Sequence, residues 1–599
     1  MCGIIGAALK TENAAAEVFE GLKRLEYRGY DSAGISCICG GVLSTVKRGG
    51  RVEGLMPDAK NLSGRVAIGH TRWATHGEPS DKNAHPHVAG DISVVHNGII
   101  ENWQELKTEL CSQGITFASE TDSEIIVRLI DLYYNQNADE KDIGARLLYA
   151  VSKAVERLSG SYALGILCKG FDGLITVKYK SPVVVGFCGD GAYICSDIPA
   201  LPQNVSSICV PEDGDIAVVT AKSVTFYDSK LNTVSRIRRP VFLGQFADGK
   251  GDYPHYMIKE IHETQRTVRE TCEGFFRNTD VKRLAEYVRG ADRIIITGCG
   301  TAYNAGLLAK RYFSDKCGVY CQAEIASELR YAPVHVTPAT LVIAVSQSGE
   351  TADTVEAALA LKSAGARVVA VTNCGYSAIT RIAHLVVPVC AGAEVCVAAT
   401  KSYVGQLAAL YLTAKLSGDV FKAQEELFDI CGGVDEIFKD LNPAEKIAGM
   451  CAESSAVFFL GRGIDYAVAV EGSLKLKEIS YIFSDGYPAG ELKHGTIALI
   501  DENTLSIFVI CDISLAEKCL NAASQITSRK GKVAVITCLK EVAEKVEDNA
   551  TVWLLPKACE NLSPFLSAVA LQLIAYKTAA LLNRDPDKPR NLAKSVTVE

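Results

Sequence analysis

Two stretches in the second half of the chain repeat one another at a nearly constant separation. RIIITGCG matches AVFFLGRG, and RVVAVTN matches KVAVITC further along. Gly298 and Gly461, which stand at the same place in the first pair, lie 163 residues apart, and Val368 and Val533 of the second pair lie 165 apart. A shared register of this length predicts two tandem domains of one fold rather than a single large sheet.

Each copy alternates β-rich apolar runs with helical stretches. In the first copy the runs are DRIIITG, TLVIAVS, ARVVAVTN and AHLVVPV. Such alternation is typical of βαβ units, so we predict two α/β domains, each with a doubly wound parallel sheet. The G-x-G after the first strand of each copy lacks the third glycine of G-x-G-x-x-G, which argues against a dinucleotide such as NAD. We expect no cofactor.

The loop SQSGETADT, residues 346–354, follows an apolar strand and leads into an amphipathic helix. A helix N-terminus presents unpaired N–H groups and the positive end of the helix dipole, which favour an anion such as phosphate. One hydroxyl residue at such a place is more commonly a helix cap. Four polar side chains in six positions exceed what capping needs, and we predict that they bind a phosphate: Ser346, Gln347, Ser348 and Thr351. The second copy has VICDISLAEKC instead, so we expect the copies to differ in function.

The first third of the chain mixes short β-rich runs with two amphipathic helical stretches. The runs include GRVAIGHTRWA, DISVVHNGI, SYALGILC and DIAVVTA, and the helical stretches are AAEVFEGLKRLEYRG and SEIIVRLIDLYYNQ. This mixture predicts one α+β domain. Glycines and prolines between SRIRRP and DYPHYMIKEI mark a break, which we place near residue 240.

Composition limits the classes of partner. The chain has 599 residues, of which 48% are hydrophobic and 22% charged, and its net charge is -8. A chain of this length forms several cores, and a negative net charge does not favour nucleic acid or an anionic membrane. No apolar run reaches the roughly 18 residues that a membrane span needs. We therefore expect a small polar metabolite as the partner.

The cysteines and histidines indicate neither disulfides nor metal. The 21 cysteines include no C-x-x-C pair, and no signal peptide precedes them, so we expect reduced thiols in the cytoplasm. Five of the ten histidines fall between positions 70 and 96, without the H-x-x-x-H spacing or the companion C-x-x-C of a zinc site. We expect no bound metal.

The chain begins MCGIIG, which places a thiol at position 2. If Met1 is removed, Cys2 carries both a thiol and a free α-amine. The ordinary pKa of an α-amine, about 7.7 to 8.0, lies close to the roughly 8.5 of a thiol, so one residue supplies a nucleophile and its base. A cysteine at this position is more often only a small residue after Met, because reactivity depends on the surroundings of the thiol.

Three motifs downstream supply such surroundings: HTRWATHG (70–77), HNGIIEN (96–102) and TDSE (121–124). With the cysteine they resemble the N-terminal-nucleophile glutamine amidotransferases, whose cysteine attacks the glutamine side-chain amide, forms a thioester and releases ammonia. The resemblance implies an oxyanion hole made by Asn97 and the Gly98 N–H, where each well-placed donor contributes on the order of 3 kcal/mol. It also implies a glutamine pocket with Arg72 on the α-carboxylate and Asp122 on the α-ammonium, lined by Trp73, Thr75 and His76.

The second half resembles tandem sugar-isomerase domains through CGTAYNAG, SQSGET and GRGIDYAVA. With EGSLKLKEISYI, GELKHG and NLAKSVTVE added, the whole chain resembles the isomerizing glutamine:fructose-6-phosphate aminotransferase family. The resemblance implies amination of fructose 6-phosphate at C2, isomerisation to glucosamine 6-phosphate, and a homodimer. It implies these roles: His494 assists ring opening, Lys594 forms a Schiff base with C2, Glu478 moves a proton between C1 and C2, and Lys475 interacts with Glu478 or the sugar.

The residues themselves support these roles unequally. Glu471, Lys475 and Glu478 share a helix face by their 3-4 spacing, a pattern that surface ion pairs also use, and we predict that this face is solvated. By position, Lys594 is only a tail lysine. An amine that reacts near neutral pH must be buried or lie beside a cation, so we expect the C-terminus to be inserted in a pocket when sugar is bound.

Three residues depart from the pattern of the family. Ala302 and Ala399 stand where many members have serine, and Asn304 replaces a frequent histidine. With one phosphate hydroxyl missing, Thr301 or backbone amides must hold that side of the phosphate. We expect weaker phosphate binding and an unchanged mechanism.

The expected architecture is an α+β N-terminal-nucleophile glutaminase domain followed by two tandem α/β sugar-isomerase domains. Their expected bounds are 2–239, 240–425 and 426–590, with a C-terminal catalytic tail over 591–599. Ammonia set free at Cys2 would be protonated in water, so we expect a water-excluding path between the sites, which the resemblance implies is gated by Trp73.

Two alternative functions stay open. Amidophosphoribosyl transfer shares the cysteine glutaminase, but it requires a D-D-x-x-x-x-G-T loop that this sequence lacks. The other alternative is a phosphosugar-sensing regulator that has lost catalysis. An assay for glucosamine 6-phosphate distinguishes such a regulator from an enzyme.

Overall fold

The computed structural model describes residues 2–73, 77–241, 249–332, 334–546, 548–559 and 561–596. The chain divides into two compact units, one of Met1–Asp248 with Ser595–Glu599 and one of Gly249–Lys594. The glutaminase motifs lie in the first unit, and both copies of the repeat lie in the second.

The first unit combines antiparallel strands with a few helices. Its helices are α1 (Ala14–Leu25), α2 (Met56–Ala59), α3 (Trp103–Ser112), α4 (Ser123–Gln136) and α5 (Ile143–Val155). Its strands are β1 (Gly3–Leu9), β2 (Ser32–Cys39), β3 (Val42–Gly49), β4 (Val66–Arg72), β5 (His87–Ala89), β6 (Ile92–Ile100), β7 (Gly160–Cys168), β8 (Gly173–Tyr179), β9 (Val184–Cys188), β10 (Gly191–Cys195), β11 (Ser207–Cys209), β12 (Ile216–Thr220), β13 (Val224–Tyr227), β14 (Thr233–Val234) and β15 (Arg239–Pro240).

These strands form two sheets, with the orders β15-β11-β9-β10-β1-β4-β2-β3 and β14-β13-β12-β8-β7-β6-β5. Alternate residues of a strand face opposite sides of its sheet. Thus Ile5 of β1 packs with Val18 and Leu22 of α1, whereas Ile4 packs with Val95 of the other sheet. Helices α4 and α5 cover the outer face of that second sheet. The order of layers is helix, sheet, sheet, helix, which confirms the predicted α+β domain.

The second unit consists of parallel strands and many helices. Its strands are β16 (Arg293–Gly298), β17 (Tyr320–Ile325), β18 (Thr340–Ser346), β19 (Arg367–Thr372), β20 (Leu385–Pro388), β21 (Ala456–Gly461), β22 (Ser484–Pro488), β23 (Thr504–Val509), β24 (Lys532–Thr537) and β25 (Thr551–Leu554). Its helices are α6 (Tyr256–His262), α7 (Thr264–Arg277), α8 (Val281–Arg289), α9 (Thr301–Cys317), α10 (Ala326–Leu329), α11 (Ala352–Ser363), α12 (Ala378–Ile382), α13 (Lys401–Lys415), α14 (Val420–Ile437), α15 (Asn442–Ala452), α16 (Ile464–Ser480), α17 (Ile513–Thr527), α18 (Lys540–Val546) and α19 (Ser563–Leu581).

The two copies of the repeat have the same topology. Their five-stranded sheets have the orders β17-β16-β18-β19-β20 and β22-β21-β23-β24-β25, and every pair of neighbouring strands in them is parallel. The predicted pair of tandem α/β domains is therefore confirmed. In each sheet the strand order reverses between the first and third strands, which is where open α/β sheets bind their ligands.

The turn from the first strand of each copy into its helix is built on glycine. Gly300 precedes α9 with a φ of 53°, and Gly463 precedes α16 with a φ of 58°. Residues with a Cβ rarely adopt this left-handed region, so glycine is favoured at both turns. The equivalent turns make α9 and α16 equivalent helices, each of 17 residues.

Helix α19 is apolar on all sides. By length and composition it could cross a membrane, but 83% of its most apolar window is buried inside the protein. Its residues Leu566, Val569 and Leu573 belong to the same apolar core as the sheets of both copies. Its uniform hydrophobicity is that of a helix at the centre of a large core.

Candidate active sites

The thiol of Cys2 contacts the backbone at the end of β4. The Trp73 N–H donates to Cys2 Sγ at 3.3 Å, and Sγ lies 3.5 Å from the Trp73 carbonyl oxygen. Burial raises the pKa of the Cys2 thiol, while the amino terminus, the Trp73 N–H and Arg72 oppose the rise. Met1 precedes Cys2 in the sequence, so the nitrogen of Cys2 is a peptide nitrogen as long as Met1 is attached.

The two predicted oxyanion-hole residues, Asn97 and Gly98, lie on β6, and Asn97 contacts the backbone of Cys2. Asn97 Nδ2 donates to the Cys2 carbonyl oxygen at 3.0 Å. Gly98 has a φ of 132°, and a Cβ at this position would stand 1.9 Å from the Ser161 carbonyl oxygen on β7. No other residue fits at position 98, because it would combine backbone strain with a clash.

The predicted ligands of the glutamine backbone lie in the same unit. Arg72, at the end of β4, is buried and donates to the carbonyl oxygens of Gly77 and Glu78 at 3.1 and 3.4 Å. The Asp122 carboxylate accepts from the Ile100 N–H at 2.9 Å, which ties the start of α4 to the end of β6. The Trp73 ring meets Tyr30 edge to face, with 5.6 Å between the ring centres. Thr75 and His76 lie outside the described residues.

Four histidines of the first unit are buried: His70, His85, His87 and His96. The rings of His70 and His85 are stacked at 4.1 Å, and those of His85 and His87 lie 4.7 Å apart. Burial lowers the pKa of His70 and of His87 to about 3, and it lowers the pKa of His85 well below its usual value. These three imidazoles are therefore neutral at physiological pH. Among the described residues, no group of three or more His, Cys, Asp or Glu side chains is arranged to hold a metal ion.

The predicted phosphate loop connects β18 to α11. The hydroxyls of Ser346 and Thr351 lie 3.1 Å apart, and the Gly349 N–H donates to Ser346 Oγ at 3.0 Å. Ser348 Oγ accepts from the Glu350 N–H at 3.2 Å. The Gln347 carbonyl oxygen accepts from the Asn373 N–H at 3.2 Å, which fixes the loop against the end of β19. Since β16 and β18 are neighbours, this loop and Thr301 lie at the same carboxyl edge.

The prediction of a solvated face on α16 was wrong, because Glu471 and Lys475 are buried and Glu478 is only 19% exposed. The Lys475 side chain is 1% exposed, and its Nζ lies 3.4 Å from Glu471 Oε1 and 2.6 Å from Glu478 Oε2. Burial alone would lower the pKa of Lys475, but the two carboxylates raise it above its usual value. The face is covered by the equivalent helix of the other copy, α9.

Two residues of α9 complete this ion cluster. Thr301 Oγ1 accepts from Lys475 Nζ at 2.9 Å and lies 3.1 Å from Glu471 Oε1, to which it donates. Asn304 Nδ2 donates to Glu471 Oε2 at 2.8 Å. The asparagine that departs from the pattern of the family therefore holds a buried carboxylate, and Ala302 stands between these two residues in the first turn of the helix.

Lys594 is buried against a carboxylate. It forms an ion pair with Glu394, and the two side chains are 6% and 0% exposed. The Glu394 carboxylate also accepts from the N–H groups of Thr400 and Ser402, both at 3.0 Å, and from Ser402 Oγ at 2.7 Å. Burial would raise the pKa of Glu394, but Lys594 and these donors lower it to about 2. Ala399 directly precedes Thr400 in this segment.

The tail that carries Lys594 is fastened at two further points. The Asp587 carboxylate accepts from the first N–H groups of α6, of Tyr256 and Met257, both at 2.8 Å. The Arg590 N–H donates to the Tyr481 hydroxyl, just beyond the end of α16, at 2.8 Å. The tail is thus docked on the same unit that holds the phosphate loop and the α16 ion cluster.

His494 is not connected to the other predicted sugar-site residues. It ends a short 3-10 helix, Glu491–His494, and its side chain is exposed. Within the described ranges, no hydrogen bond or ion pair joins it to Glu478 or Lys594.

Several residues of these sites were missed at the sequence level. His70 Nε2 lies 3.2 Å from Asn97 Oδ1, and Arg28 Nε donates to the Cys2 carbonyl oxygen at 3.4 Å while pairing with Asp197. Glu394 was missed as well. His70 opens the HTRWATHG motif, which was a usable signal, whereas Glu394 meets its lysine across 200 residues of chain and has no local signature.

Two family models match the chain. The glutamine amidotransferase domain matches residues 70–202, and the SIS domain matches twice, over residues 287–416 and 450–582. The second SIS match begins 163 residues after the first, at the separation of the repeated glycines. The amidotransferase match includes Arg72, Asn97 and Asp122, and the first SIS match includes the phosphate loop.

Solved structures resemble the second unit. The C-terminal domain of glucosamine-fructose-6-phosphate aminotransferase from Francisella tularensis aligns with a TM-score of 0.54 and 36% identity, over 57% of this chain and 100% of that chain. Tagatose-6-phosphate ketose/aldose isomerase from Escherichia coli aligns with a TM-score of 0.50 and 17% identity, over 57% of this chain and 96% of that one. The second likeness shows the fold alone.

Curated relatives match from end to end. Glutamine--fructose-6-phosphate aminotransferase (isomerizing) from Clostridium acetobutylicum is 40% identical over 620 residues, and the protein of the same name from Clostridium tetani is 42% identical over 627 residues. Each alignment covers 100% of this chain and 100% of the relative. The chain therefore belongs to the glutamine--fructose-6-phosphate aminotransferase (isomerizing) family.

Proposed function

We propose that this protein transfers the amide nitrogen of glutamine to fructose 6-phosphate and isomerises the product, so that glutamine and fructose 6-phosphate become glutamate and glucosamine 6-phosphate. One observation carries the proposal: relatives named glutamine--fructose-6-phosphate aminotransferase (isomerizing) align with the chain over its full length. The alignment therefore includes both the amidotransferase part and the sugar-isomerase part. The contacts within each candidate site support it.

In the proposed glutaminase reaction, the Cys2 thiol attacks the glutamine amide carbon after its own α-amine has taken the thiol proton. The developing oxyanion is held by Asn97 Nδ2 and the Gly98 N–H. Arg72 and Asp122 hold the two backbone charges of glutamine, and Trp73, Thr75 and His76 line the pocket. Removal of Met1 is part of this proposal, since the peptide nitrogen of an uncleaved chain cannot act as the base.

In the proposed sugar reaction, Ser346, Gln347, Ser348, Thr351 and Thr301 hold the phosphate. His494 assists ring opening, and Lys594 forms a Schiff base with C2. Glu478 moves a proton between C1 and C2, with Lys475 paired beside it. Ammonia that escaped to water would be protonated and lost as a nucleophile, so we propose that it reaches C2 without release into bulk solvent.

We further propose a cytoplasmic homodimer that acts on small molecules, without nucleic acid or membrane as partner. None of the 20 cysteines whose side chains the structure describes forms a disulfide, which suits a reducing compartment. We propose domain bounds of 2–239, 240–425 and 426–590, with a C-terminal tail over 591–599. The test is to express each glutaminase or isomerase piece alone and to assay it.

The direct test is an assay for glucosamine 6-phosphate. With fructose 6-phosphate and glutamine the wild-type protein should form it, and Cys2→Ala should form none. With ammonia in place of glutamine, Cys2→Ala should retain product formation, because the sugar site is intact. Absence of product from the wild type with either nitrogen source would refute the function. Intact mass of the purified protein shows whether Met1 has been removed.

A further inference from the structure

A buried glutamate that the proposed mechanism does not use lies on α6. Glu260 is 2% exposed. Its Oε1 accepts from the N–H groups of Val395 and Cys396, at 2.5 and 3.2 Å. Its Oε2 is buried and has no hydrogen-bond partner among the described residues. The two N–H groups directly follow Glu394, the partner of Lys594.

The two neighbouring carboxyl groups differ in how their oxygens are bonded. Both oxygens of Glu394 accept hydrogen bonds, two from N–H groups on Oε1 and two from Ser402 and Lys594 on Oε2. In Glu260, one oxygen accepts twice and the other has no donor. An ionised carboxylate is stabilised by donors on both oxygens, whereas a carboxylic acid has one carbonyl oxygen that accepts and one hydroxyl.

Four donors on Glu394 favour its ionised form, whereas a buried Glu260 Oε2 without a donor favours the neutral acid, because an uncompensated charge costs more to bury than a hydroxyl. Electrostatics agree with this assignment, because burial and the Glu394 charge raise the pKa of Glu260 to about 8. Environments that drive the pKa values of two adjacent carboxyls apart commonly mark acid and base roles. Two cations also act on Glu260: Lys594, and Lys401, which is paired with Glu263. The neighbouring titratable groups are Cys396 and Asp587.

We propose that Glu260 is a positioning residue for the sugar reaction: it stays a neutral acid, so that a single carboxylate, Glu394, faces the Lys594 ammonium. This inference rests on the proposed function, in which Lys594 forms a Schiff base. A second negative charge at Glu260 would stabilise the ammonium and leave less free amine for the reaction.

The proton count of the step is balanced. The Lys594 ammonium gives one proton to solvent, and the amine lone pair forms a bond to C2 as the carbonyl electron pair moves to oxygen. That oxygen takes one proton from the nitrogen and one from solvent, and it leaves as water. The products are a protonated imine and an ionised Glu394, so the net charge is unchanged. Glu260 keeps its proton throughout.

The test is borohydride trapping of the imine with fructose 6-phosphate alone, read as the rate of mass increase of the intact protein between pH 6.5 and 9. Glu260→Gln is the isosteric neutral variant, because its amide oxygen can accept from Val395 and Cys396 while its NH2 replaces the hydroxyl. We expect it to trap at the wild-type rate, within about twofold, at pH 6.5. At pH 9 it should be faster by roughly tenfold, the effect of one pKa unit on an amine beside an added charge.

Glu260→Asp, which still titrates, should keep the wild-type pH dependence, and glutaminase activity serves as the control for folding. Superimposable profiles of the wild type and Glu260→Gln would overturn the inference. So would loss of trapping at pH 6.5 in a Glu260→Gln protein with full glutaminase activity, since it would mean that the ionised form is needed. If neither variant is folded, the wild type alone provides the test. Ionisation of Glu260 should slow the rise of the trapping rate near pH 8, so a rate that rises steadily through pH 8 would overturn the inference. Absence of trapping in the wild type at every pH refutes the Schiff base itself, and with it the proposed sugar reaction.

Discussion

His70 Nε2 lies 3.2 Å from Asn97 Oδ1 and 2.9 Å from the His96 carbonyl oxygen. A backbone carbonyl only accepts, so Nε2 carries the proton and donates to both oxygens. Since Asn97 Oδ1 is then engaged as an acceptor, Nδ2 is the donor end of the amide, and it faces the Cys2 carbonyl at 3.0 Å. A neutral histidine thus determines which end of the Asn97 amide faces the backbone of Cys2.

The first prediction follows from that orientation. We expect His70→Leu to lower kcat for glutamine hydrolysis by about 100-fold with little change in KM, because Asn97, the proposed oxyanion donor, is no longer aligned. His70→Gln, which keeps an N–H donor, should lose less. The control is ammonia-dependent synthesis by the same variants, which should be unchanged. An equal loss of ammonia-dependent activity would instead indicate a folding defect.

The second prediction concerns the backbone at Gly98. Gly98→Ala should destabilise the protein by about 3 kcal/mol and abolish glutaminase activity, because the new Cβ meets the Ser161 carbonyl and the left-handed φ is strained. Gly114→Ala is the matched control, since Gly114 has a φ of 83° and nothing within 4 Å of the added atom. It should cost about 1 kcal/mol, from strain alone. Urea unfolding measures the loss of stability in both variants. Equal losses would contradict the prediction, because they would mean that the new Cβ of Gly98→Ala does not clash with the Ser161 carbonyl.

The third prediction tests the buried ion cluster on α16. Lys475→Met should destabilise the protein by about 3 kcal/mol, because it leaves the buried Glu471 carboxylate and the half-buried Glu478 carboxylate without their cation. Ammonia-dependent synthesis should be lost as well. Lys477→Met changes an exposed lysine of the same helix and should be nearly neutral. Thermal unfolding of the two variants compares their stabilities. Equal stabilities would contradict the prediction, because they would mean that one residue of the cluster is uncharged in the wild type.

The fourth prediction is a pH dependence of stability. The folded-state pKa of His70 and of His87 is lowered to about 3, against roughly 6.5 for an unfolded chain. Below pH 6.5 the unfolded state therefore binds protons that the folded state does not. As the pH is lowered from 6.5, the free energy of unfolding falls by about 1.4 kcal/mol per pH unit for each histidine. Loss of glutaminase activity in urea at pH 7, 6 and 5 measures the slope. His87→Gln should reduce the slope, and a change at the exposed His335 should not.

Much of the fold could be predicted because its signals are local. The helical stretch SEIIVRLIDLYYNQ corresponds to α4, Ser123–Gln136, and the runs DISVVHNGI and DIAVVTA correspond to β6 and β12 within one residue at each end. The repeat predicted two sheets of one topology, since equal spacing of strand and glycine signals leaves little freedom in how each copy folds. The motifs HTRWATHG and HNGIIEN are likewise local, and they placed Arg72 and Asn97 correctly in one unit.

The remaining features depend on contacts between distant segments. Residues spaced like Glu471, Lys475 and Glu478 share one face of a helix whether that face is solvated or buried. The face is buried here because α9 packs on it, and its residues Thr301 and Asn304 stand about 170 positions earlier in the chain. The pairing of Lys594 with Glu394 is equally remote. Sequence spacing describes one element at a time, so it could not show what covers that element.

The equivalence of α9 and α16 has a consequence for how such a site can arise. Two identical chains meeting through this helix would have to place the same residues on both sides of the contact. Because both helices belong to one polypeptide, each is free to specialise: α9 offers the hydroxyl and the amide, and α16 offers the charges. Two copies of one fold on a single polypeptide thus permit asymmetric chemistry at the contact between them.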